Sequence, residues 1–125
     1  MIIDTDIIIW VQRGNEKAAR LIEGTTDRHL SIQSYMELLR GAKNRTQHKI
    51  VKSFIKDLGF SVLPLTENIG HRALIYVEEY ALSSGMRAGD AIIAATAVEN
   101  GLPVITSNAK HFKAVNELQL IVFKP

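Results

Sequence analysis

The chain has 125 residues, 22% of them charged, a net charge of +2 and no cysteine. That length suits one domain over residues 1–125 whose core needs no metal or disulfide staple, and the ordinary apolar and charged content argues against disorder. Disulfides, thiolate metal sites and thiol catalysis are excluded. No apolar run approaches the roughly 20 residues that span a bilayer, and no leader precedes Ile2, so a cytoplasmic protein without membrane attachment is expected.

In chain order, Ile2-Ile3 reads as a first strand that ends at Asp4. Ile7 to Val11 reads as a short buried helix breaking near Gly14, with a strand as the competing reading. Asn15 caps a helix carrying Ala18, Ala19, Leu21 and Ile22, and Gly24 stops it. His29 to Ile32 fits a second strand. Two helices follow, one through Tyr35, Met36, Leu38 and Leu39 to Gly41, the other marked by Ile50, Val51, Phe54, Ile55 and Leu58 at helical spacing and ended by Gly59. Phe60 to Leu63 is a third strand, and Thr66 caps a long helix that ends at Gly85. The apolar helix after Asp90 stops at Asn100-Gly101. Val104-Ile105 and Leu118 to Phe123 supply the last two strands. Short apolar strands alternating with helices predict an α/β three-layer sandwich, with a mostly parallel sheet of about five strands covered on both faces.

Such sheets place ligands at the carboxyl ends of their strands, where Asp4 stands. Asp4 and Asp6 share a direction if the first strand continues, although one of them is expected to cap the following helix. Glu37 follows Ser34 by three residues, the spacing of a capping box, so its structural and chemical readings compete. Asp90 sits between Gly89 and an apolar run, as a helix cap or as a crevice acid. Thr106 and Asn108 follow the fourth strand and adjoin Asp4 if the first and fourth strands are neighbours. Were Asp4, Glu37 and Asp90 to converge, their repulsion would call for a cation. Oxygen ligands select Mg²⁺ or Mn²⁺, and phosphodiester hydrolysis is chemistry that such an ion supports.

Ten of the fifteen basic residues precede residue 57, and between Arg40 and Lys56 no acid interrupts them. Arg45, Lys49, Lys52 and Lys56 fall on one helical stripe, which reads as a solvated face or as a surface for RNA phosphates. Tyr35, Tyr76 and Tyr80 are candidates for base stacking or for the core. Trp10 reads as core.

Four blocks together resemble a known family: Ile-Ile-Asp-Thr-Asp at the start, Tyr-Met-Glu-Leu-Leu-Arg-Gly around Glu37, Gly-Asp-Ala-Ile-Ile-Ala-Ala-Thr-Ala from Gly89, and Pro-Val-Ile-Thr-Ser-Asn-Ala-Lys-His-Phe near the end. In this order, spread over nearly the whole chain, they are similar to the PIN-domain ribonucleases of the VapC toxin type. The resemblance implies a metal-dependent ribonuclease with Asp4, Glu37 and Asp90 as its acidic triad around Mg²⁺ or Mn²⁺. Asp4 and Asp90 would be the direct ligands, Glu37 would orient or deprotonate water, and Thr106 would supply a hydroxyl near the metal. Asn108 stands where many members carry a fourth acid, a departure that would weaken a second metal site. The same resemblance implies a protein antitoxin that blocks the site and a homodimer, and Arg45, Lys49 and Lys52 of the basic stripe are the candidates for meeting the RNA substrate. Two alternatives remain at this level. Asp4-Thr5-Asp6 also fits an aspartate-nucleophile phosphatase, although Ile7 and Ile8 replace its small turn residues, and Asn108 also suits an inactive PIN-like module that only binds partners.

Overall fold

Strand β1 (Ile2–Ile3) lies at the centre of a five-stranded sheet, flanked by β2 (His29–Ser31) and β4 (Val104–Thr106), with β3 (Ser61–Leu63) and β5 (Leu120–Val122) at the edges. All four pairings are parallel. This computed structural model describes residues 1–125. The register sets Ile2 opposite both His29 and Val104, and Ile3 opposite Ile105. The expected adjacency of the first and fourth strands is therefore present, and the strand order reverses between them. At such a point neighbouring crossovers leave on opposite faces of the sheet and open a crevice at the carboxyl ends of the strands.

Helices α1 (Thr5–Gln12), α2 (Glu16–Gly24), α3 (Ile32–Gly41) and α4 (Arg45–Asp57) precede β3, and α5 (Glu67–Ser84) and α6 (Ala88–Asn100) follow it. The central strands β1 and β4 are apolar on both sides, through Ile2 and Ile3 and through Val104 and Ile105, so each face buries its own cluster. One contains Ile2, Val104, Ile69, Ala73, Ile93 and Ala94 with Phe112. The other contains Ile3, Ile105, Ile7, Ile22, Leu38, Val51 and Ile55. The run Ile7 to Val11 is helical, and the strand reading of it does not hold. Small residues dominate the inner part of α6, where Ala91, Ala94, Ala95 and Ala97 are buried. They let this helix approach both the sheet and α5.

Several ends follow the sequence signals. The Asn15 side chain accepts from the Ala18 amide at 2.9 Å, the Thr66 hydroxyl accepts from Ile69, and Gly85 and Gly101 close their helices with positive φ. Others differ. β2 stops at Ser31, because that residue turns to cap α3 by accepting from the Gln33 amide at 3.0 Å. β3 begins at Ser61 rather than Phe60, and β5 is confined to Leu120–Val122. α6 begins two residues before Asp90, so Asp90 lies inside its first turn. A short 3₁₀ turn, Ala109–His111, follows β4 and was not expected.

No helix is long and apolar enough to cross a membrane. Across the back of the molecule Arg72 of α5 pairs with Glu99 at 2.6 Å and with Glu117 at 2.8 Å, tying α5 to the end of α6 and to the turn before β5. Tyr76 donates to Glu117 in the same group, and Tyr35 and Tyr80 are partly buried against the two cores. Ile3 is wholly buried where the central strand meets α1 and α2. Truncation to alanine there removes about 2–5 kcal/mol of stability, and the Ile3→Ala protein accordingly unfolds at lower urea concentration with an unchanged m-value.

Candidate active site

The peptide chain leaves β1 at Ile3 and turns at once into α1, with Asp4 at the junction. Asp4 is the N-cap, and its Oδ1 accepts from the Thr5 amide at 2.8 Å. Because the strand does not continue, Asp4 and Asp6 do not point the same way as alternate strand residues. Asp6 lies in the first turn of α1, and the cap is Asp4 rather than Asp6. The Asp4 side chain is almost fully buried, and its Oδ2 accepts from the Thr106 hydroxyl at 2.7 Å. Asp6 Oδ2 accepts from the Ser107 amide at 2.9 Å, from the Ser107 hydroxyl and, more weakly, from Thr106 at 3.3 Å. Its Oδ1 is buried with no partner. Thr106 and Ser107 come from the end of β4, so the pairing of β1 with β4 assembles this network.

Two carboxylates meeting below the surface have an electrostatic cost. Burial is the main cause that pushes the Asp4 carboxyl from its ordinary 3.8 up to about 7, and the adjacent charge of Asp6 adds to it. The hydrogen bonds from Thr106 and Thr5 act in the opposite sense, and the charge of Asp90 raises the value further. Asp4 and Asp90 therefore lie within electrostatic reach of one another.

Glu37 reaches the crevice from α3. The capping-box reading of Ser34 and Glu37 fails, because α3 is capped by Ser31 and Ser34 is buried inside the helix, where it accepts from the Thr5 hydroxyl at 2.8 Å. Glu37 instead accepts from the Gln33 side chain one turn earlier at 3.0 Å. Gly89 explains how α3 and α6 come together at this level. A Cβ on Gly89 would stand 3.1 Å from Glu37 Oε1 and 3.2 Å from the Gln33 amide nitrogen, tighter than side chains normally pack. The missing side chain lets Glu37 lie against the first turn of α6, next to Asp90.

Asp90 accepts from the Arg87 amide at 3.2 Å, and its Oδ2 lies 3.2 Å from His111 Nδ1. His111 in turn lies 3.1 Å from the Asn108 side-chain nitrogen. Asn108 is exposed, and its amide donates to Thr106 Oγ1 at 2.9 Å. The sequence reading did not single out His111, Ser107, Gln33 or Arg87. Of these, His111 meets Asp90 only through the unforeseen 3₁₀ turn. Arg45, Lys49 and Lys52 are exposed along α4, apart from the network described here.

Glu37 and Asp90 line one crevice and Asp4 lies buried within electrostatic reach of Asp90, yet no three acidic or imidazole side chains lie close enough together to enclose an ion. The surroundings nonetheless suit a divalent cation. Every charged acceptor is an oxygen, Asp4 is driven toward its neutral form by burial and then by the charges of Asp6 and Asp90, and one Asp6 oxygen is buried without a donor. A hard ion would relieve both costs.

The family profile described as "PIN domain" matches residues 1–118. The chain belongs to the PIN-domain family. Among curated proteins this PIN domain is 30% identical to Ribonuclease VapC1 of Rickettsia felis over 97% of its own length and 94% of that protein, which puts it with the VapC ribonucleases. Its fold matches a toxin-antitoxin complex from Klebsiella pneumoniae with TM-score 0.81 at 26% identity, covering 97% of this chain and 95% of that one. VapBC2 from Rickettsia felis bound to a DNA fragment from its promoter matches with TM-score 0.80 at 16% identity over 98% of each chain, a likeness of fold.

The strained carboxylate sets the pH behaviour of the metal-free PIN domain. Between pH 3.8 and about 7 the unfolded chain gives up the Asp4 proton while the folded chain keeps it. The unfolded state then binds fewer protons, so stability falls as pH rises through that window. Asn retains the capping oxygen and carries no charge. In EDTA, Asp4→Asn should therefore melt roughly 5 °C or more above wild type at pH 8, with the gap closing at pH 4. A gap that is the same at both pH values would mean that ionisation of Asp4 costs the fold nothing.

Proposed function

We propose that this PIN domain is a metal-dependent endoribonuclease that hydrolyses RNA phosphodiester bonds, and that it is the toxin of a toxin-antitoxin pair. The observation that carries the chemistry is the buried Asp4 carboxylate, pressed against Asp6 and within reach of the Asp90 charge at the point where the strand order reverses. Kinship with Ribonuclease VapC1 supports RNA as the substrate, and likeness to a chain of a toxin-antitoxin complex supports a protein antitoxin as the partner. Assembly as a homodimer is part of the same reading.

Asp4 and Asp90 are the ligands in this reading. When bound, Mg²⁺ or Mn²⁺ supplies Lewis acidity at a phosphate oxygen and charge that stabilises the leaving oxygen. Thr106, donating to Asp4 Oδ2, fixes the rotamer of that carboxylate. In the tautomer protonated at Nδ1, His111 donates to Asp90 Oδ2 and orients it from the other side, and that nitrogen then does not accept from the adjacent Asn108 side chain. Glu37 keeps one oxygen on Gln33 and is the base that takes a proton from the attacking water. The water oxygen bonds to phosphorus, the bond to the leaving ribose oxygen breaks, and that oxygen is protonated from solvent. On the exposed surface of α4, Arg45, Lys49 and Lys52 attract the RNA backbone without reading its sequence.

A phosphatase that forms an aspartyl phosphate is disfavoured by the position of Asp6. That residue would have to serve as the free acid or base, whereas its Oδ2 already accepts several donors and its Oδ1 is buried. The nuclease reading requires that Asp90→Asn lower Mg²⁺- or Mn²⁺-dependent cleavage of a single-stranded RNA by at least about 10²-fold, with the circular dichroism spectrum unchanged, and that EDTA abolish cleavage by wild type. RNA cut at the wild-type rate by Asp90→Asn, or in EDTA, would remove Asp90 or the metal from the reaction.

A further inference from the structure

Beside the acids, the crevice opens into a groove of about 480 Å³ lined by Gln33, Met36, Glu37, Arg40, Arg87 and Asp90, with Gly89 between the helices. The two arginines stand in related places. Arg40 is three residues after Glu37 on α3, hence on the same face of that helix. Arg87 is three residues before Asp90, at the N-cap of α6. Each helix therefore brings one carboxylate and, one turn away, one guanidinium to the same groove.

Neither guanidinium is committed elsewhere. The Arg87 side chain is 77% exposed, and its Nε is 3.8 Å from Asp90 Oδ2, too long for a hydrogen bond. An ion pair so exposed holds the side chain weakly. Arg40 is exposed in the last turn of α3 and has no carboxylate partner. The groove lining balances two carboxylates against two guanidiniums. A divalent ion on the acids leaves it positive, and a chemical group with negative charge at a fixed distance from the reacting phosphate fits such a surface.

We infer that Arg40 and Arg87 form a phosphate-binding subsite that grips a backbone phosphate next to the one being hydrolysed. This rests on the ribonuclease reading, since only a polynucleotide places a second phosphate beside the scissile one. Guanidinium forks suit phosphate oxygens in a way that lysine does not. The subsite makes Arg40 and Arg87 positioning residues: they set which phosphodiester lies over Asp4 and Asp90, and they favour chains longer than two nucleotides. It also separates a local grip at the crevice from the diffuse attraction of Arg45, Lys49 and Lys52.

The test compares full-length wild type with Arg40→Gln/Arg87→Gln on two substrates, a dinucleoside monophosphate with one phosphodiester and a single-stranded RNA of ten nucleotides. Loss of kcat/KM on the longer RNA should exceed the loss on the dinucleoside by about tenfold, carried by KM. Binding of fluorescein-labelled RNA in Ca²⁺, followed by anisotropy, should weaken similarly, with the slope of log K against log salt reduced by about 1. Equal losses on both substrates, or unaltered RNA affinity and salt slope, would overturn the subsite. RNA bound but not cut by wild type in Mg²⁺ or Mn²⁺ would instead count against the nuclease reading, while the binding comparison still decides the subsite. Melting temperatures of the two proteins within a few degrees establish that the variant is folded, and Arg40→Lys/Arg87→Lys, which keeps the charge but loses the fork, should recover only part of the affinity.

Discussion

The site depends on one buried carboxylate at the end of the central strand. Asp4 closes β1, starts α1 and accepts a hydrogen bond from the end of β4, so three elements converge on its two oxygens. Local structure alone would be served by a neutral cap such as serine or asparagine. A carboxylate there is expensive, because burial and the neighbouring Asp6 keep its proton on to about pH 7. An arrangement that destabilises the fold and gathers carboxylate oxygens at the reversal of strand order is a common compromise at functional sites.

The other acids reach the same place through helix packing. α6 is small-residue-rich on its buried side and has no side chain at Gly89, so it can lie close to α3 where Glu37 projects. Asp90, on the following residue, is then fixed by His111 and the Arg87 amide. The crevice is consequently made from ends of elements far apart in sequence, and its acids stand loosely spaced rather than clasped. Unscreened carboxylates repel, and an open spacing is what that repulsion favours. The surrounding charge divides in two. Exposed lysines and arginines of α4 offer general attraction, and the guanidiniums of Arg40 and Arg87 flank the crevice itself.

Most of the fold was legible because its strands are short apolar runs separated by strong helix signals. Asn15 and Thr66 cap as their residue types predict, and Gly85 and Gly101 end helices where an αL conformation is needed. Residues at the switches between elements were harder to read. Ser31 and Ser34 are both plausible caps three residues apart, and the choice is made by tertiary contact: Ser34 is buried against Thr5, leaving Ser31 to cap. Asp4 likewise takes the capping role that a continuing strand would leave to Asp6, since β1 lasts only two residues. The candidate acids were visible as isolated charges beside apolar runs. Their supporting groups were not, because Ser107 and His111 acquire partners only through the pairing of β1 with β4 and the turn after it.

The ribonuclease chemistry proposed for this protein turns on a divalent cation shared by Asp4 and Asp90. Anomalous diffraction from crystals of the protein soaked in Mn²⁺ tests this most directly. The account predicts one strong peak between the Asp4 and Asp90 carboxylates, lost in crystals of Asp4→Asn. A peak elsewhere, or none at Mn²⁺ concentrations that support RNA cleavage, would contradict it.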